Sequence, residues 1–204
     1  MLQARVSLIT LDPDGLGDSV KFIEDAVCPE AEQQHGSLGV ALYANAELGV
    51  VLLESFWATQ DALRLAEQRI TLDFPEELRR ASGTVCIERY RVPVFESDGP
   101  LRAGDGLQLT RMDFDPSRVE DAVEVYGDTV VPWLAGTEGF RGTLLLVNRE
   151  SGNSISEAVW RDDQAMAGSR STAAAMRANT CAATGGTVRT VEEYGLVSTS
   201  IRKP

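Results

Sequence analysis

The feature that most constrains the fold is an internal repeat. At a constant offset of 103 residues, Asp12 matches Asp115, Pro13 matches Pro116, Pro29 matches Pro132 and Gly36 matches Gly139. The same offset pairs Gly39 with Gly142, Gly49 with Gly152, Glu54 with Glu157, Trp57 with Trp160 and Val85 with Val188. No gap is needed between Asp12 and Val85, whereas chance would match roughly one residue in fifteen at ordinary composition. Solenoid repeats run to about 20–50 residues, so this period belongs to two tandem units of domain size. The expected division is a unit over residues 1–95, a polar Gly- and Pro-containing linker over 96–105, and a second unit over 106–204.

Periodicity within each unit predicts the order β-α-β-β-α-β. In the first unit, Val6–Leu11 is rich in β-branched and aliphatic residues and stops at Asp12-Pro13. A helix is expected from near Val20, capped by Gly17-Asp18-Ser19 and kinked at Cys28-Pro29. The apolar runs Leu38–Ala44 and Val50–Trp57, joined by Asn45-Ala-Glu-Leu-Gly49, read as a hairpin. Thr59 should cap a second helix, Pro75–Arg80 a short extra turn, and Thr84–Phe95 the last strand, with Pro93 marking an edge or an exit. The second unit repeats this with a strand over Leu107–Phe114, a helix over Ser117–Ala135, a hairpin of Thr143–Val147 with Ile155–Trp160, a helix over Asp163–Ala178 and a strand over Thr187–Val197. The Ala-rich helix predicts close packing and few pocket-forming side chains.

Charge narrows the partners. The chain carries 19 Lys and Arg against 31 Asp and Glu, a formal net charge of −12. This argues against nucleic acid and against an anionic membrane surface, both of which need cationic faces. Cys28, Cys86 and Cys181 do not recur at the repeat offset and lack metal-ligand spacing. They are expected to be free, mostly buried thiols. No secretory signal or membrane-length apolar run stands out, so a cytoplasmic protein is expected. Nothing has the form of a phosphate-cradling loop, a metal cluster or a nucleophile elbow, and no cofactor is expected.

The run Val131-Pro132-Trp133-Leu134, then Glu138-Gly139-Phe140-Arg141-Gly142, a hairpin ending Glu157-Ala-Val-Trp160, and Asp163 opening a helix point to a family. This pattern resembles the antibiotic-biosynthesis-monooxygenase-like domains of the dimeric α/β-barrel superfamily. The first unit carries the same marks at Pro29, Gly36, Gly39, Glu54 and Trp57. The resemblance implies an α+β fold in which two ferredoxin-like units close one intramolecular barrel with pseudo-two-fold symmetry. The family it resembles includes cofactor-independent monooxygenases acting on polycyclic phenols, haem-degrading enzymes, small-molecule isomerases or cyclases, and members with no known activity. Haem-degrading members place a histidine about nine residues beyond the tryptophan. Those positions here are Ala66 and Ser169, which disfavours haem degradation by that ligation.

The candidate site residues follow from both arguments. By the resemblance, Trp57 and Trp160 line a pocket between sheet and helices, where they either stack on an aromatic ligand or fix helix to sheet. Glu54 and Glu157 lie three residues earlier, so strand alternation puts each on the face opposite its tryptophan. There they serve as an acid–base pair across the pseudo-axis or as structurally satisfied carboxylates. Tyr43, Tyr126, Trp133 and Arg111 have polar tips suited to orienting a phenol or enolate oxygen. Arg111 aligns with Leu8, so the second pocket is expected to be the more polar. His35, the one histidine, is expected to face solvent beside a capping glycine. The reading is a monooxygenase-like enzyme with Arg111, Trp160 and Tyr126 in its chemistry and Trp57, Trp133, Tyr43, Glu54 and Glu157 binding a small apolar or aromatic molecule. The alternative is a non-catalytic ligand-binding or structural barrel; either is a monomer with a fused barrel or a homodimer.

Overall fold

A computed structural model describes residues 1–70 and 82–201. Its strands are β1 (Gln3–Leu11), β2 (Ser37–Asn45), β3 (Val50–Trp57), β4 (Ser82–Ser97), β5 (Gly106–Asp113), β6 (Phe140–Val147), β7 (Asn153–Trp160) and β8 (Thr187–Thr199). Hydrogen bonding orders them β1-β3-β2-β8-β5-β7-β6-β4, and the order closes into a barrel. The fold is therefore α+β, and each repeat supplies a β-α-β-β-α-β series. The extra turn expected over Pro75–Arg80 lies outside the described residues.

By contacts the chain divides into Met1–Arg89 with Leu196–Pro204, and Tyr90–Gly195. This division departs from the repeat at β4 and β8. Thr84 near the start of β4 bonds to Thr10 of β1, whereas Arg91–Ser97 pairs with β6. At the far end of the chain, Ser200 donates its amide to Val40, 2.9 Å away, so the last residues join the first unit. Strands of 16 and 13 residues are long enough to serve two neighbours in succession. Pro93, which has no N–H for the ladder, falls where the β4–β6 register shifts between Arg91 and Val94.

In the first unit, β1 and β2 flank β3, with Val6 and Ala41 both opposite Glu54. In the second, β5 and β6 flank β7, with Leu109 and Leu144 opposite Glu157. The first helical segment starts earlier than expected in the first unit, and in the second it opens as a 3-10 turn at Pro116, one residue before the expected Ser117. A 3-10 turn at Pro13–Gly15 follows an Asp12 carboxylate that accepts the Asp14 amide at 3.1 Å. Its counterpart Asp115 accepts the Ser117 amide at 2.9 Å. The Asp-Pro pair that ends the strand thus also begins the helix, since aspartate caps and proline suits the first turn.

The kink expected at Cys28-Pro29 takes the form of a widened turn. Helix α1 (Leu16–Phe22) passes through a π turn at Ile23–Val27 into α2 (Cys28–Glu32). Helix α4 (Val119–Val125) passes through Tyr126–Val130 into α5 (Val131–Ala135) in the same way. Helix α3, between these pairs, is Gln60–Glu67 and is capped by Thr59 as expected. The amides of Cys28 and Val131 reach back five residues, to the carbonyls of Ile23 and Tyr126. A proline follows each turn by two positions. It has no N–H and its ring would strike the carbonyl four residues back, and one extra residue per turn relieves both problems.

Helix α6 (Asp163–Thr184) begins at an Asp162 cap and ends at Gly185, whose φ of 75° is left-handed. It runs beyond the expected end at Ala178. In each unit the apolar core lies between one sheet face and the helices. The first is built on Trp57, Ile9, Ile23, Leu42 and Leu63, and the second on Trp160, Met112, Tyr126 and Leu145. Among the described residues, no helix is long and apolar enough to cross a membrane.

Candidate active site

Strand alternation builds the site. In β5, Gln108, Thr110 and Met112 face the helices, as do Ser156, Ala158 and Trp160 in β7. Opposite them the π turn supplies Tyr126 and Val130, and α5 supplies Trp133 and Leu134. One stripe of α6 supplies Ala173, Met176, Arg177 and Thr180, spaced three and four residues apart. Together these enclose a cleft within the second unit. About 40 Å³ of it admits the centre of a water-sized sphere, which is room for a few waters. Trp133, Met176 and Arg177 are only half-buried. Among the described residues, no Asp, Glu or His lines the cleft.

The two tryptophans differ in one hydrogen bond. Both are fully buried. Trp57 donates its indole N–H to Ser55 Oγ at 3.1 Å, on the same strand face. The residue aligned with Ser55 is Ala158. Trp160 Nε1 accordingly meets no acceptor among the described residues. Phe140 meets the Trp160 ring edge-on at 6.3 Å and 77°, fixing the indole plane. A buried N–H without an acceptor costs about 1–3 kcal/mol, and Trp160 is one of the residues that line the cleft.

Tyr126 presents its ring to the cleft and ties its hydroxyl to the sheet. The hydroxyl lies 2.6 Å from Thr143 Oγ1 and donates weakly to the carbonyls of Leu144 and Glu157 at 3.2 and 3.4 Å. Burial, opposed by the Thr143 and Ser156 hydroxyls, pushes its pKa up to about 12. The neutral phenol is thus held more tightly in the folded protein than in the unfolded chain. That stability is complete below the ordinary tyrosine value of 10.0 and is lost as pH rises through about 12. In an absorbance titration, Tyr126→Phe should remove one tyrosine component that ionises near pH 12. A titration unchanged at high pH in Tyr126→Phe would refute this.

The expected site residues separate into two groups. Trp160, Tyr126 and Trp133 come together in the cleft. Arg111 does not join them: it alternates with Thr110 and Met112, faces the other side of the sheet, and sits 3.1 Å from Glu192. Glu157 and Glu54, both fully buried, likewise lie on the faces opposite their tryptophans, as the spacing predicts. Tyr43 is buried on the Glu54 side, one residue out of step with Leu42, while Trp57 packs in the first unit's helix-facing core. His35 is exposed in a turn. Ala66 is buried in α3, and Ser169 is buried in α6 with its hydroxyl donated to Met166 O at 2.8 Å. The thiols depart from expectation: Cys28 is buried and its pKa is pushed up to about 12, but Cys86 is exposed and Cys181 intermediate.

Sequence reasoning missed Arg177 and its relay. Arg177 Nη1 donates to Gln108 Oε1 at 3.0 Å, and Gln108 Nε2 donates to Glu193 at 3.2 Å. Glu193 is in turn clasped by both arms of Arg170. Helical spacing could have found Arg177, since it lies four residues beyond Ala173 and one beyond Met176 on the inward stripe. Among the described residues, no group of three or more His, Cys, Asp or Glu side chains is placed to hold a metal ion.

No protein-family model matches the sequence. An uncharacterized protein of Mycobacterium tuberculosis is 24% identical over 204 residues, which span this whole chain and 91% of that protein. Among solved structures, a Fusobacterium nucleatum protein described provisionally as a monooxygenase has a TM-score of 0.73 at 13% identity, with 98% of this chain and 94% of that one covered. An anthrone oxidase-like protein has a TM-score of 0.71 at 17% identity, with coverages of 98% and 92%. The chain therefore has the ferredoxin-like α/β-barrel fold that these monooxygenase-type proteins share.

Proposed function

We propose that the protein is a monooxygenase-like enzyme whose second-unit cleft holds a small apolar or aromatic metabolite and acts on it without metal or flavin. The reading is supported by Trp160, which lines the cleft and whose buried N–H has no acceptor among the described residues. A ligand oxygen would satisfy it, and an oxygen gaining negative charge would satisfy it best. The rings of Tyr126 and Trp133 would flank a planar substrate, and the narrow cleft would keep water from it. Likeness to an anthrone oxidase-like protein suggests anthrone as the first probe. Its enolate reduces dioxygen directly: anthrone and O₂ give anthraquinone and water, with the substrate CH₂ carbon supplying all four electrons and both hydrogens, one oxygen atom entering that carbon and the other leaving as water. The residues hold the enolate oxygen and orient the ring.

An oxygen electrode tests the reading. Purified protein should accelerate oxygen uptake on anthrone, and Trp160→Phe should lower the rate about tenfold, the loss of one charge-assisted hydrogen bond. A rate equal to that of buffer, or an unaffected Trp160→Phe enzyme, sinks the enzymatic assignment. One observation favours non-catalytic ligand binding as a second reading: no lining group titrates near neutrality, and the Tyr126 hydroxyl is committed to the sheet. Binding without oxygen uptake would establish that reading.

A further inference from the structure

We infer that the cleft selects an anionic ligand, a planar apolar molecule carrying a carboxylate or phenolate oxygen that Arg177 receives while Trp160 Nε1 holds a second oxygen. The inference rests on the cleft being a ligand site, as proposed above, and adds the chemical class of its ligand.

Three observations carry it. Arg177 lines the cleft and spends one N–H on Gln108, and among the described residues no carboxylate reaches ion-pair distance of it. Gln108 stands between Arg177 and Glu193, and Glu193 is already clasped by Arg170. Glu193 acts on Arg177 only through space and Asp163 also acts on Arg170, which leaves Arg177 without a direct carboxylate contact in a chain whose net charge is −12. Second, among the described residues the lining contains no acidic side chain that could compete with an incoming anion. Burial lowers the Arg177 pKa from its ordinary value, as for a cation short of counter-charge, although the guanidinium remains protonated. Third, Trp160 lines the cleft, and its fully buried indole N–H has no acceptor among the described residues. A guanidinium and an N–H set among Met112, Val130, Leu134 and Met176 suit a molecule with an apolar body and two oxygens.

Calorimetric titration of the full chain with 1-hydroxy-2-naphthoate and with 1-naphthol tests this, because the two probes differ by the carboxylate. Wild type should bind the acid at least about tenfold more tightly, and added salt should weaken the acid alone. Arg177→Met should abolish the difference, and Arg177→Lys should retain part of it. If Arg177→Met does not fold, the lysine variant and the salt series on wild type still decide. Equal affinities for the two probes, or an acid preference that survives Arg177→Met, overturn the anion inference and leave the cleft standing as a ligand site. Failure of both probes to bind wild type overturns both.

Discussion

Gly152→Ala should destabilise the protein by at least about 3 kcal/mol, which for a chain of this size is a fall in melting temperature of roughly 6–12 °C. Gly152 turns the β6–β7 hairpin at φ 78°, and a Cβ there would lie 1.9 Å from the Phe114 carbonyl oxygen. Backbone cannot step aside as a side chain does. The turn would have to move, and with it the 3.0 Å bond from Phe114 N to Gly152 O and the 2.9 Å bond from Gly152 N to Asn148 O. The repeat supplies a replicate: at Gly49, φ is 64° and a Cβ would lie 2.4 Å from the Leu11 carbonyl oxygen. Gly99 supplies the contrast. Its φ is 105° with nothing within 4 Å of a built Cβ, so Gly99→Ala should cost only the backbone strain, about 1–2 kcal/mol. Thermal melts of the three variants decide; similar melting temperatures for Gly152→Ala and Gly99→Ala would refute the carbonyl clash.

Ala158→Ser should have opposite effects on stability and function. It places in the second unit the hydroxyl that Ser55 supplies to Trp57 in the first. With the Trp160 N–H satisfied internally, stability should rise by about 1 kcal/mol, or roughly 2–4 °C. Binding of either naphthalene probe, and oxygen uptake on anthrone, should fall about tenfold because the donor is no longer available to a ligand. The mirror variant Ser55→Ala should leave the Trp57 N–H buried without an acceptor and cost about 1–3 kcal/mol, with no loss of ligand affinity. Unchanged affinity and unchanged melting temperature in Ala158→Ser would show that the Trp160 N–H does not serve the cleft.

The architecture was legible because two copies carried the same punctuation. Asp-Pro, Gly and Trp recur at one offset, so a weak signal in either half is confirmed by the other. Strand parity placed Glu54 and Glu157 correctly because alternation is a property of the backbone alone. Arg111 was grouped with the cleft because its polarity was read without its parity: it is out of step with Thr110 and Met112. The first unit's helix was started too late because Asp12-Pro13 was taken only as a strand stop, when the same pair caps and seeds the helix. The Ala-rich α6 was expected to pack closely and offer few pocket residues. Instead, its small side chains leave space that Met176, Arg177 and Thr180 border. Orphaned donors such as Trp160 Nε1 were not legible, because they follow from what a neighbour lacks. Comparing Ser55 with Ala158 would have shown the difference, yet only the fold makes that comparison meaningful.

The matching π turns bear on how the two halves can change. Each places one residue against the strand tryptophan, Ile23 in one copy and Tyr126 in the other. Around them, Leu53 and Ser55 stand where Ser156 and Ala158 stand in the second copy. The chain therefore contains its own unmodified reference, in which the same backbone is filled with apolar bulk and its indole is internally bonded. Exchanging these three positions between copies should carry the proposed site from one half of the molecule to the other, which probe binding would report.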